Sequence, residues 1–473
     1  MDLDTLTAVR PSARQYAWQS MEFYGFIHFG MNTVTDREWG EGHDDLSLFD
    51  PVDFDADQWV GAMKDAGMTG VIVTCKHHDG FCLWPSGQTD YSVASTPWRG
   101  GDGDVVAEVA RAAERHGLKL GVYLSPWDRT DASYGTGTAY DDYYVAQLTE
   151  LLTHYGPVFS VWLDGANGEG ANGKVQHYDW DRYYATVRAL QPDAVISVCG
   201  PDVRWCGNEA GHTRPDEWSV VPRELQDVER VADKSQKVDD GEFSRDLGSD
   251  EEDLGSREAL ADYTGELVWY PAEVNTSIRP GWFYHADEDA RVRGAEELFE
   301  IYKRSVGGNS TFLLNVPPRP DGLLAEEDVA ALRGLGALIR DMRARALTAS
   351  VTASTTADGH DARSLSTLEN DSGVWAPADG DAAPTVTLTL DAPATVVGLV
   401  LKEEIREGQR VERVVVSGRV DGHWMEIAES GCIGYQRILD IAPVTVDALR
   451  LTIARSRGTA VLAGIAVLGE SAR

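Results

Sequence analysis

A chain of 473 residues, 42% hydrophobic and 25% charged, is long enough for two or three domains with large buried cores and lacks the composition of a disordered protein. Its 42 basic residues against 77 acidic ones leave a formal net charge of −35; that field repels nucleic acid, anionic membrane surfaces and polyanionic substrates, so a neutral substrate is the easier partner. No run of about 18 apolar residues and no basic-then-apolar N-terminal stretch occurs, so neither a membrane span nor a secretory signal is expected and the chain reads as cytoplasmic.

Uniformly apolar runs then alternate with amphipathic helical patterns. YGFIHFG (24–30) precedes a helical pattern over 56–67, GVIVTCK (70–76) one over 104–117, KLGVYLS (119–125) one over 142–156, and FSVWLDG (159–165) one over 181–190. AVISVCG (194–200), ELVWYPAEV (266–274), a helix over 295–308, STFLLNVPP (310–318) and a last helix over 328–347 continue the theme. Strands apolar on both faces, separated by helices, make a covered parallel sheet, and this many units favour a (β/α)8-like, TIM-type barrel. No G-x-G-x-x-G follows the first strand, which lowers a dinucleotide-binding alternative. After residue 347 the helical period gives way to short alternating runs at 385–390, 395–403, 413–420, 423–430, 448–455 and 460–469. They predict an antiparallel β-sandwich over 348–473 behind a barrel over 1–347. Five cysteines without a Cys-x-x-Cys pair read as reduced, mostly buried thiols.

Barrel chemistry sits where strands end at their carboxyl side. Those ends carry His28; Lys76-His77-His78-Asp79; Tyr123 with Trp127-Asp128; and Trp162 with Asp164. Aromatic faces for C–H surfaces, with imidazoles and carboxylates for hydroxyls, describe a cup for a polyhydroxyl ring. Adjacent histidines on a strand point to opposite faces, which argues against a metal pair at His77-His78. A sugar hydrolase needs two carboxyl groups. Asp164 is one, and the segment 199–222 offers Glu209 or Glu217 as the other, with Glu209 in a loop rich in glycine and aromatics and Glu217 beside Pro215 and Asp216 in a solvated-looking context.

Taken in order, FIHFG, EWG, VTCKHHDGFCLWPS, GVYLSPWDR, FSVWLDGANG, RWCGNEAG, RPGWFYH and GGNSTFLLNVPPRPDG resemble the α-L-fucosidases of glycoside hydrolase family 29 over most of residues 15–345. The resemblance implies a retaining exo-glycosidase on a (β/α) barrel that needs no cofactor or metal. It implies Asp164 as nucleophile and a fucose pocket of His28, Glu38, Trp39, His77, His78, Tyr123 and Trp162. The loop RWCGNEAG is similar to that of the branch cutting α-1,3 and α-1,4 linked fucose from Lewis-type glycans, which implies Glu209 as acid/base and Trp282 closing the pocket. Cys206 stands in that loop where an aliphatic residue is expected. Linkage selectivity is then expected from the rim, with Trp205, Glu217, Trp218 and the acidic run 239–255. The expected partner is a fucosylated oligosaccharide. The sandwich resembles discoidin-type, galactose-binding-like modules; Trp375, Trp424 and Tyr435 are its candidate sugar contacts, against a purely structural role in its core. Two other readings remain: a catalytically silent fucose-binding protein, and a metal-dependent amidohydrolase using His77, His78 and Asp164.

Overall fold

The computed structural model describes residues 2–234, 253–369 and 373–471. The acidic run expected at the rim therefore lies outside the described residues up to 252. Eight parallel strands make the first sheet: β1 Phe23–Ile27, β2 Gly70–Lys76, β3 Lys119–Leu124, β4 Val158–Leu163, β5 Val195–Val198, β6 Arg204–Trp205, β7 Ala272–Ser277 and β8 Thr311–Asn315. Their order is β5-β4-β3-β2-β1-β8-β7-β6, and a parallel bridge between Ser197 and Val203 nearly closes the sheet into a barrel. Helices Ala56–Asp65, Val105–His116, Thr138–His154, Trp180–Leu190, Ala295–Ser305 and Glu326–Ala344 follow β1, β2, β3, β4, β7 and β8.

The local causes are ordinary. Asp55, Asp104 and Asp179 each accept a backbone N–H from the first turn of the helix they precede, satisfying donors that the helix itself leaves unpaired. Helix Val105–His116 buries Val105, Val106, Val109, Ala112 and Ala113 on one stripe and stops at Gly117, whose φ is 67°, a left-handed conformation that glycine adopts without cost. Gly25 on β1 lies close under the helix Ala56–Asp65: a Cβ there would stand 2.6 Å from Met63 Sδ, so even a methyl would push that thioether aside.

Two expectations about strands are corrected. The run 266–274 is not one strand. Leu267–Trp269 pairs antiparallel with Val220–Pro222 outside the barrel, and the chain passes Pro271, which has no ladder donor, before β7 begins at Ala272. The sixth barrel strand is instead the two-residue Arg204–Trp205, parallel to β7.

The C-terminal domain is an antiparallel sandwich of seven strands: Ala346–Leu347, Ala349–Ala353, Thr385–Glu403, Val411–Val420, His423–Ser430, Arg437–Ser456 and Leu462–Gly469. The separately expected strands 385–390 and 395–403 are one bent strand, whose register against Arg437–Ser456 breaks between Thr389 and Ala394, around Pro393. Trp375 is fully buried in the sandwich core, and its Nε1 donates to Thr355 O at 3.0 Å; Tyr435 is buried beneath Lys402; Trp424 is half-buried under the Arg450 guanidinium. These positions fit packing. All five cysteines are free and buried.

Candidate active site

The carboxyl ends of the barrel strands surround one cup, lined by His28, Glu38, Trp39, His77, His78, Tyr123, Trp162, Asp164, Glu209 and Trp282, together with Phe26, Ala166 and Asn275. A larger, mostly apolar cavity of about 700 Å3 opens at the amino ends of β3 and β4, the face of a barrel that serves stability rather than chemistry. Asp164 follows β4 by one residue. Tyr123 donates its O–H to Asp164 Oδ2 at 2.8 Å and the backbone N–H of Ala166 donates to Oδ1 at 2.7 Å, which fixes the carboxylate's plane and spreads its charge.

The imidazoles are neutral acceptors. Asn315 Nδ2 donates to Trp282 O and Ser277 Oγ, so its Oδ1 accepts from His28 Nδ1–H at 2.8 Å, leaving His28 Nε2 with a lone pair. The Ser125 hydroxyl donates to Trp127 O at 2.7 Å and therefore accepts from His78 Nδ1 at 2.7 Å; His78 Nε2, 3.9 Å from Asp164, is again an acceptor. Burial pushes His28 down to about 3 and His78 to about 4, against the pull of Asp164 on the latter, and pushes His77 well below the ordinary range. His77 Nδ1 has no hydrogen-bond partner among the described residues. The expectation that His77 and His78 face apart fails because β2 ends at Lys76: both rings line the cup, with centroids 4.0 Å apart.

Glu209 sits on the loop after β6. Asn208 folds that loop on itself, its Oδ1 accepting from the backbone N–H groups of Ala210 and His212 and its Nδ2 donating to His212 O. Trp282 Nε1 donates to Glu209 Oε2 at 2.8 Å. Burial first, then the negative charge of Asp164, raise the Glu209 pKa to about 8, against the opposing pull of the Trp282 N–H, so the carboxyl is protonated at neutral pH. Glu38 acts through Trp282: its carboxylate accepts the backbone N–H groups of Trp282 and Phe283 at 2.9 and 3.1 Å and pairs with His285 at 2.8 Å. Burial would lower His285, but its bonds to Glu38 and Asp36 outweigh it and hold the ring charged, at about 9.

Glu217 is the exception. It lies outside the cup, buried, with its carboxylate oxygens taken by Arg204 and Arg214, and its expected sugar contact is corrected to a structural ion pair. Glu217→Ala should leave two buried guanidinium groups without their counter-charge and cost about 3–5 kcal/mol, read as a lowered denaturation midpoint. Asn275 went unforeseen. Glu273, Asn275 and Ser277 alternate along β7, and all three are buried; Glu273 accepts from Trp162 Nε1 at 2.8 Å and Tyr24 O–H at 2.5 Å, and Asn275 accepts from Trp205 Nε1 at 3.0 Å. Polar residues with period two in a buried strand are the signal that could have found them.

Residues 7–342 match the α-L-fucosidase family and residues 350–466 the F5/8 type C domain. The chain belongs to the α-L-fucosidase family. It is 40% identical to a putative α-L-fucosidase 1 of Oryza sativa subsp. japonica over 468 residues, 98% of this chain and 85% of that protein. It is 39% identical to α-L-fucosidase 1 of Arabidopsis thaliana over 456 residues, 94% and 85% of the two chains. Among solved structures, a putative α-L-fucosidase from Bacteroides ovatus superposes with a TM-score of 0.85 at 41% identity, over 100% of this chain and 76% of that one. A fucosidase of glycoside hydrolase family 29 from Ruminococcus gnavus, solved in complex with fucose, superposes at 0.84 and 29% identity, over 98% and 95%. As an α-L-fucosidase the protein is a glycoside hydrolase, which leaves no place for the amidohydrolase reading of His77, His78 and Asp164.

Proposed function

We propose that this fucosidase retains anomeric configuration, with Asp164 as nucleophile and Glu209 as acid/base, and that it removes α-1,3 and α-1,4 linked fucose from branched, Lewis-type glycans. The observation that carries the mechanism is the contrast between two carboxyl groups in one cup: Asp164 accepts two short hydrogen bonds, whereas Glu209 is buried and holds its proton. One environment suits a nucleophile, the other a proton donor to the leaving oxygen. Asp164 attacks the anomeric carbon as Glu209 protonates the departing sugar oxygen; the ionised Glu209 then takes a proton from the water that cleaves the glycosyl ester. The neutral Nε2 atoms of His28 and His78 accept ring hydroxyls, His77 lines the same cup, and Trp162 and Trp282 supply apolar faces. The first-formed product, read by NMR before mutarotation, should be α-fucose; β-fucose would make the enzyme inverting.

Linkage preference is supported by the RWCGNEAG loop at the rim of the cup, which brings Glu209 into it. The fucose cup touches only the terminal sugar and treats all α-fucosides alike, so discrimination falls to this rim. Polar groups there, left unpaired by a substrate lacking the matching hydroxyls, reject it. A Lewis trisaccharide should be cleaved with a higher kcat/KM than a 2-linked fucosyllactose or a simple aryl fucoside. Equal values would assign the chain to the broad-specificity branch, and no turnover of any of the three would leave a fucose-binding protein.

A further inference from the structure

Every cup residue precedes residue 348, so the sequence alone gives the sandwich no part in the chemistry. The domains touch at several places, among them Asn309 with Tyr435 and Arg257 with Glu412, and one group of these contacts grips a single segment, residues 215–219. Gln409 of the sandwich accepts the Ser219 N–H at 2.8 Å and donates to Glu217 O at 3.1 Å. Arg437 donates to Pro215 O at 2.9 Å and to Asp216 Oδ1 at 3.2 Å, and the Cys432 N–H donates to the same carboxylate oxygen at 2.8 Å. The fit is close: a Cβ on Gly431 would stand 2.0 Å from Asp216 Oδ1. Gln409 and Cys432 are fully buried.

What these bonds hold is one end of the loop that carries Glu209. On the gripped segment, Glu217 pairs with Arg204 at the loop's start and with Arg214 near its end. Arg214 also donates to Cys206 O at 3.1 Å, and two residues on, Asn208 folds the turn that presents Glu209. Sandwich, segment 215–219, Glu217, the two arginines and the Glu209 turn are thus linked by hydrogen bonds joined through short stretches of covalent chain. An acid that must meet a leaving oxygen gains from such rigid support.

We propose that Gln409 and Arg437 of the sandwich are positioning residues for the Glu209 loop, so that the second domain helps to place the acid/base. The inference rests on the role given to Glu209 above. The test uses the full chain with Gln409→Met, which keeps volume but loses both bonds, Arg437→Ala and Arg437→Lys. Backbone hydrogen exchange over 206–214 should quicken while β1 and β4 stay as in the unaltered protein, a readout that needs no activity. Hydrolysis of a fucoside with a poor leaving group should fall roughly tenfold or more, that of an activated aryl fucoside far less, with inhibition by fucose unchanged. The alkaline limb of the pH profile should move to lower pH as water reaches Glu209, and Arg437→Lys should recover part of each loss. Unchanged exchange over 206–214, or equal losses on both substrates, would overturn the proposal; if Arg437→Ala does not fold, Gln409→Met decides alone. Were Glu209→Ala to show no dependence on leaving group, the assignment of Glu209 would fail, while the exchange measurement would still report whether the sandwich holds the loop.

Discussion

Asp164→Ala is expected to lower kcat by on the order of a thousandfold or more while fucose still binds, because the lost group attacks in the transition state and is not needed to fill the cup. Tyr123 and the Ala166 N–H, which now donate to the carboxylate, would be left facing the space it occupied. A small anion can enter there. Added azide should therefore restore turnover of an activated aryl fucoside and give β-fucosyl azide, since attack comes from the face that Asp164 occupied. A variant keeping more than about a tenth of turnover, or an azide adduct of α configuration, would remove Asp164 from the role.

Glu209→Ala should separate substrates by their need for a proton. Glycosides with sugar leaving groups should lose on the order of a hundredfold or more in kcat/KM, and activated aryl fucosides much less. Azide should then attack the glycosyl-enzyme from the opposite face and yield α-fucosyl azide. The pH profile carries the same assignment. With a pKa of about 8, Glu209 is a competent acid below that value, so kcat/KM on natural glycosides should fall as pH rises through it. That limb should vanish in Glu209→Ala. The shift also bears on stability, with the sign set by a folded pKa above the ordinary 4.5: the contribution is whole below 4.5 and is lost as pH rises through about 8. Glu209→Gln, which cannot ionise, should lack this loss, so its melting temperature should gain on that of the unaltered protein between pH 5 and 8.

The sequence was most legible where one residue's context is complete within a few neighbours. Val161-Trp162-Leu163-Asp164 is an apolar strand that ends in an acid, and a barrel assigns such an acid to the active face. The β/α alternation and the change of texture after residue 347 were visible for the same reason. Arg204–Trp205 was not, because two residues show no period; only pairing with β7 makes them a strand. Glu217 misled because proline and aspartate beside it look solvated, while the groups that bury and neutralise it come from Arg204, Arg214 and loops of the sandwich some 190 to 220 positions away. His77 and His78 misled differently: the rule of alternating faces holds in a strand, and β2 stops one residue short of them.

The two halves of the cup stand on unequal ground. Asp164 follows a six-residue strand paired on both sides by β3 and β5, whereas Glu209 follows a two-residue strand beside the barrel's near-open seam. Moving Asp164 would mean remaking a wall of the barrel; exchanging the Glu209 loop would break few ladder bonds, provided Arg204 and Arg214 still meet the buried Glu217. The Glu209 side of the cup is therefore the part of this scaffold that can be rebuilt with Asp164 left in place. New linkage preferences are cheapest to engineer at that seam.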